Sequence, residues 1–98
     1  MLSYPDFAKN FEVATDASNY GIGAVLYQVI NGKTHYIAFA SRALNSGEKS
    51  YGATKRELLA VVNALKHFRY YLFGKKFRLY TDHKALTCLH ILRKQPTR

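Results

Sequence analysis

Three of the six carboxylates in this 98-residue chain stand where acids acting together could do chemistry. Asp16 and Asp82 each follow a threonine at the end of a strand-like run, Phe11-Glu12-Val13-Ala14-Thr15 in one case and Lys76 to Thr81 in the other. Glu57 lies in the first half of a long helical pattern, about 40° around the helix from Val61, on the shoulder of an apolar stripe. A helix laid across a sheet can aim such a glutamate at two strand-end aspartates. Converging carboxylates repel unless a divalent cation lies among them. Magnesium suits hard oxygen donors and keeps waters that can become nucleophiles. Two such ions can hold a scissile phosphate on both its attacking and its leaving side. The same residues have plainer uses, since a strand-end Asp forms turns or caps helices and Glu57 can pair with a neighbouring Lys or Arg.

The elements that must position these acids are read from periodicity. Residues 1–10 show no sustained period and contain Pro5, which makes them a lead-in. Phe11 to Thr15 alternates as a strand, Asp16 to Gly21 supplies turn chemistry, and Ile22 to Ile30 forms a second strand. Asn31-Gly32 is a two-residue hairpin signal leading into a third strand, Lys33 to Ala40, so the first three strands form an antiparallel meander. From Gly52 to Leu72 the period becomes helical, with Leu58, Val61, Val62, Leu65, Phe68 and Leu72 on one stripe and Gly74 as the stop. Lys76 to Thr81 is a fourth strand. Lys84 to Leu92 suits a short second helix through Leu86, Leu89 and Leu92, with Cys88 near its apolar side, and residues 93–98 form a basic tail. A strand, a long helix and a strand in succession predict a crossover that lays the fourth strand parallel to an earlier one. If that partner is the first strand, Asp16 and Asp82 share the carboxyl-terminal edge at which open α/β sheets bind ligands.

Composition narrows the function classes. Hydrophobic residues make up 48% and Gly plus Pro only 8 residues, which suits one small folded domain and excludes a low-complexity or disordered chain. A single cysteine cannot form an internal disulfide. No apolar run is long enough for a membrane span, and the N-terminus lacks a signal-peptide pattern, so the expected setting is intracellular, cytoplasmic or nuclear, with no membrane partner. Residues 1–65 hold six basic and five acidic side chains, whereas residues 66–98 hold nine basic and one acidic. The second part suits a polyanion, nucleic acid being the commonest, or is simply a solvated basic face. Its candidate contacts are Arg69, Lys75, Lys76, Arg78 and Lys84, interleaved with Tyr70, Tyr71 and Tyr80. Ser18 and Asn19 could bond a sugar or phosphate, or only cap their turn. Gly21-Ile22-Gly23 leads into a strand and is no dinucleotide fingerprint, although it would admit close approach by a nucleic-acid backbone. His83 beside Asp82 is either a proton carrier or an ordinary polar residue.

Six runs, in order, resemble the RNase H domain of Gypsy-type LTR retrotransposon polyproteins. They are Thr15-Asp16-Ala17-Ser18, Gly21-Ile22-Gly23-Ala24-Val25-Leu26, Ala40-Ser41-Arg42-Ala43-Leu44, Glu57-Leu58-Leu59-Ala60, Ala64-Leu65 with Phe68-Arg69, and Thr81-Asp82-His83. The resemblance implies an RNase H-like α/β mixed sheet over residues 11–92, with a three-strand antiparallel meander and a parallel fourth strand after a long crossover helix. It implies metal-dependent cleavage of the RNA strand of RNA–DNA hybrids, with Asp16, Glu57 and Asp82 matching three of the family's four metal-binding carboxylates. Two magnesium ions, replaceable by manganese, are implied as cofactors. It favours contact with the hybrid for Ser18. Tyr4-Pro5-Asp6-Phe7 resembles the segment that joins such a domain to its polymerase, an implied partner. The family continues into a further strand and a final helix with the fourth Asp near its start, and Asp82 is the last acid here. The expectation is therefore a truncated domain, with the missing part lost or supplied by another chain, and the alternative function is a weakly active or inactive module that binds nucleic acid or docks on a polymerase.

Overall fold

The computed structural model describes residues 2–81 and 85–88. Strands β1 (Phe11–Ala17), β2 (Gly21–Ile30) and β3 (Lys33–Ala43) form the antiparallel meander. Asn31 and Gly32 both have positive φ, 55° and 79°, as a two-residue hairpin turn of the right twist requires. β1 and β3 run further than their alternation indicates. Asp16↔Gly23 and Ala17↔Ile22 continue one ladder, and Gly23↔Ser41 through Gly21↔Ala43 continue the other. Backbone pairing thus carries both strands past the last large apolar residue. The β2–β3 register shifts at Leu26/Tyr27, which leaves Ile37 without an opposite residue and turned into the core.

Helix α1 (Ala53–His67) and a four-residue helix α2 (Arg69–Leu72) lead to β4 (Phe77–Tyr80), which pairs parallel with β1 from Phe11↔Phe77 to Ala14↔Tyr80. The sheet order is β3-β2-β1-β4-β5, where β5 is Ala85–Cys88. The mixed sheet, its meander and its helical crossover therefore match expectation.

Three features do not. The helical segment is interrupted at Phe68 (φ −96°, ψ 12°), a fully buried side chain, and Leu72 follows it into the core. The buried face of α1 is also rotated from the expected stripe: Ala60, Ala64 and Leu65 are buried, whereas Leu58 is 61% and Val62 42% exposed. Small side chains let the helix axis approach the sheet, and Ala60 packs with Ile22 and Leu44. Leu58 and Val62 are left on the flank. Finally, the expected helix from Lys84 to Leu92 is replaced over Ala85–Cys88 by β5, antiparallel to β4 from Phe77↔Cys88 to Tyr80↔Ala85. β4 has β1 on one side only. A neighbour on its other side satisfies a row of backbone donors and acceptors, which outweighs the propensity of a short apolar stretch. Cys88 accordingly lies in a strand, and Lys84 and residues 89–98, including the basic tail, lie outside the described residues.

The main core joins Phe11, Val13, Leu26, Ala64, Leu65, Phe68, Leu72, Phe77 and Leu79, the helix-facing side of the sheet against α1 and α2. Residues 3–9 are fastened to it. Ser3 N donates to Tyr36 O at 2.7 Å, and Phe7 packs edge-on against Phe11 and stacks on Tyr71.

Candidate active site

Packing fixes the direction of α1 relative to β1. Ala60 clusters with Ile22, Leu44 and Ala17, at the carboxyl end of β1, whereas Leu65, Phe68 and Leu72 cluster with Phe11, Val13 and Phe77, at its start. The helix therefore runs opposite to β1. Its first turns lie over the end of the strand that carries Asp16. Glu57, one turn before Ala60 and Val61, is half-buried at that end. Thr15 and Ala17 face α1 and Asp16 alternates with them, so Asp16 stands on the opposite, open face and is exposed. Its Oδ1 accepts the Ala17 N–H at 3.0 Å. Two of the three expected carboxylates thus flank one strand end from the two sides of the sheet.

Asp82 and His83 lie outside the described residues. Asp82 follows Tyr80 by two positions, as Asp16 follows its register partner Ala14. Thr15 Oγ1 donates to Tyr80 O at 3.5 Å and ties the two strands at the last pair of their ladder. Among the described residues no three His, Cys, Asp or Glu side chains come together as a metal-binding group.

Asp16 borders an open depression of about 460 Å³ on the free face of the sheet, whose floor is made of small residues (Ala14, Gly23, Ala40, Ser41) and whose wall is Phe39, 60% exposed. The two nearby glycines differ in purpose. A Cβ on Gly21 would sit 3.0 Å from the Arg42 carbonyl oxygen, a tight contact with ladder backbone that favours glycine there. A Cβ on Gly23 would make ordinary contact, 3.7 Å from Ala40 O, and would only fill the depression.

Ser18 is committed to its turn. Its hydroxyl accepts the N–H groups of Tyr20 and Gly21, both at 3.1 Å, and donates to Gly21 O at 3.3 Å. Asn19 is exposed beside it. Of the basic candidates, Arg69, Lys76 and Arg78 are exposed. Lys75 is not available in the same way: its Nζ donates to Phe7 O at 2.9 Å and lies 5.4 Å from the Phe7 ring centroid. Lys84 lies outside the described residues. Arg78 stands on the open face in register with Glu12, which faces Tyr27 across the ladder. Burial, and then the Glu12 carboxylate, push the Tyr27 phenol above its ordinary range.

Sequence reasoning passed over one ion pair near this end. Arg42 reaches Glu48 through both terminal nitrogens, Nη1 to Oε1 at 2.8 Å and Nη2 to Oε2 at 3.1 Å. Asn45 and Glu48 bond each other's backbone N–H, a reciprocal cap that closes the loop between β3 and α1. The hydrogen bond to Arg42, then the Asn45 backbone bond, hold the Glu48 carboxyl below its usual value, and the Glu48 hydrogen bond raises that of Arg42. The spacing Asn45-x-x-Glu48 was the available signal.

Comparison with known proteins agrees with this architecture. Residues 6–98 match the family of RNase H-like domains found in reverse transcriptase. The chain is 50% identical over 93 residues to the retrovirus-related Pol polyprotein from transposon 297 of Drosophila melanogaster, covering 95% of this chain and 8% of that protein. It is 46% identical over 88 residues to the Pol polyprotein from transposon gypsy of the same organism, with 89% and 8% covered. Against the transposon Tf2-3 polyprotein of Schizosaccharomyces pombe it is 34% identical over 89 residues, with 88% and 7% covered. The chain thus spans less than a tenth of the length of these polyproteins. Its fold superposes on a foamy viral protease-reverse transcriptase solved in complex with RNA/DNA hybrid, with TM-score 0.73, 21% identity, and 82% of this chain and 11% of that one covered. The same viral enzyme in complex with dsDNA gives 0.71 at 23% identity, with 82% and 16% covered. With its mixed sheet, crossover helix and family match, the chain belongs to the RNase H-like domains of reverse transcriptases.

Proposed function

We propose that the chain is the nuclease domain of a retrotransposon reverse transcriptase, cutting the RNA strand of RNA–DNA hybrids with Asp16, Glu57 and Asp82 as metal-binding carboxylates. The observation that carries this reading is the antiparallel seating of α1 on β1, which brings Glu57 to the strand end that bears Asp16. The donors suit magnesium, being carboxylate oxygens, and Asp16 is exposed and forms no ion pair among the described residues. When bound, magnesium or manganese supplies a Lewis acid for the phosphate and an acidified water. Asp16 and Asp82 would hold the metal from neighbouring strand ends and Glu57 from the helix. Exposed Arg69, Lys76 and Arg78, with Lys84, would neutralise backbone phosphates, and Asn19 would reach the hybrid from the turn after β1. A polymerase domain on the same polypeptide is the natural partner.

The test is cleavage of an end-labelled RNA–DNA hybrid by this chain with magnesium or manganese. The expected result is metal-dependent cutting of the RNA strand, reduced by orders of magnitude in Asp16→Asn and Glu57→Gln with hybrid binding retained. Binding without cleavage in either metal would leave a nucleic-acid-binding module. Full activity in Asp16→Asn would overturn the assignment.

A further inference from the structure

Among the described residues Gln28 is the one fully buried side-chain amide, and it is spent entirely on the lead-in. It is 0% exposed, its Oε1 accepts Asp6 N at 2.9 Å, and its Nε2 donates to Asp6 O at 2.8 Å and to Lys9 O at 3.3 Å. The side-chain amide thus pairs with the Asp6 peptide as a neighbouring strand would. Leaving it unpaired in the core would be costly, so its bonding to Asp6 and Lys9 is enforced and not incidental. Other anchors lie along the same stretch: Ser3 N on Tyr36 O, the Phe7 ring on Phe11 and Tyr71, and Lys75 Nζ on Phe7 O, while Asp6 Oδ1 accepts Ala8 N at 2.9 Å within the stretch itself.

We infer that residues 3–9 are a strap built into the domain, latched by Gln28, which fixes where a preceding domain of the same polypeptide attaches. The inference rests on the reading of this chain as one domain of a longer protein. The strap crosses the sheet at the beginning of β1: Tyr36 is in register with Tyr27, and Tyr27 with Glu12. Asp16 lies four residues further along β1, about 13 Å away at roughly 3.3 Å per residue. The preceding chain therefore enters at the end of the sheet remote from the carboxylates. It leaves the Asp16 end open to a long nucleic-acid duplex, and its freedom to pivot begins before Ser3 and not at Asn10. Tyr4, 98% exposed, and Leu2, half-exposed, are the side chains this entry point offers to the partner.

The test is backbone relaxation and amide exchange by NMR on the full 98-residue chain, beside Gln28→Leu and Gln28→Glu. In the parent chain the amides of residues 3–9 other than Pro5 should show order parameters near those of the sheet, about 0.8 or more, and Asp6 N–H should exchange at least about tenfold slower than in an unstructured peptide. Gln28→Leu should release that protection and speed tryptic cleavage after Lys9 at least about tenfold while β1–β2 amides stay protected. Gln28→Glu, which sets a carboxylate against the Asp6 and Lys9 carbonyls, should do the same above the carboxylate's pKa. If either variant fails to fold, the parent measurement still decides: order parameters below about 0.6 for residues 3–9 would overturn the strap. Retained protection of Asp6 N–H in a folded Gln28→Leu would overturn the latch. None of these readouts depends on cleavage of a hybrid, so a failed nuclease assay leaves the inference standing or falling by itself.

Discussion

Replacing Leu58 and Leu65 separately by alanine measures which face of α1 holds the domain together. Leu65 is 6% exposed in the main core, so truncation removes its transfer free energy and leaves a cavity, a loss of about 2–4 kcal/mol. Leu58 is 61% exposed, which leaves about four-tenths of its surface buried. At roughly 1.5–3 kcal/mol for a fully buried leucine, that is about 0.6–1.2 kcal/mol, with little cavity term. Alanine's better helix propensity returns about 0.2 kcal/mol. In urea unfolding, with an m-value of about 1–1.5 kcal/mol per molar for a chain of this size, Leu65→Ala should lower the midpoint by about 2 M and Leu58→Ala by less than about 1 M. The m-value should stay unchanged in both. Equal losses for the two substitutions would show that α1 buries its large-residue stripe and not its alanine face. The placement of Glu57 at the Asp16 end would then lose its support.

Binding to an RNA–DNA hybrid should be steeply salt-dependent. With about four to six phosphates contacted, the slope of log affinity on log salt is expected near −3 to −5, at about −0.7 to −0.9 per contact. Fluorescence anisotropy should show the slope flattened by alanine at Arg69, Lys76 or Arg78 and changed least at Lys75, whose ammonium is held by Phe7 O. The depressed Glu48 carboxyl makes the loop between β3 and α1 acid-sensitive. Its contribution is present above the unfolded carboxylate value of about 4.3 and is lost as pH falls through the lower folded value, while Arg42 stays charged throughout. Stability measured between pH 6 and pH 3 should therefore fall less steeply in Glu48→Gln than in the parent. Gly21→Ala sets a methyl 3.0 Å from the Arg42 carbonyl oxygen and should destabilise by about 1–3 kcal/mol, whereas Gly23→Ala should be tolerated, a contrast that thermal unfolding can read.

Local rules exposed much of this architecture in the sequence. Alternation marks β1 to β3, Asn31-Gly32 carries the positive φ values of its turn, and the strand–helix–strand order leads to the parallel β1–β4 pair. What those rules missed was decided by partners distant in sequence. Alanines weigh little in an apolar stripe, yet Ala60 and Ala64 form the buried seat of α1 because the sheet lies close beneath them. Ala85 to Cys88 pairs as a strand because β4 offers an edge. Gln28 sits at a helix-facing position of β2, where alternation calls for an apolar residue, and its use is visible only once Asp6 and Lys9 fold back over it. Asp16 was legible by type and strand position, and Glu57 by its place on the shoulder of the helical stripe. Their arrival at one end of the layer depended on the direction of α1, which no local pattern contains.

The parallel pair at the centre of the sheet also sets an order of assembly. β1 is joined to β2 by a short turn but meets β4 only 66 residues later, from Phe11 to Phe77. On a ribosome adding about 5–20 residues per second, that interval lasts roughly 3–13 s, while a hairpin closes in microseconds. The nascent meander therefore waits with one edge of β1 bare and with Phe11 and Val13 uncovered. This is a window for chaperone capture or for wrong pairing between neighbouring copies, and it closes when α1 docks and delivers β4 to that edge.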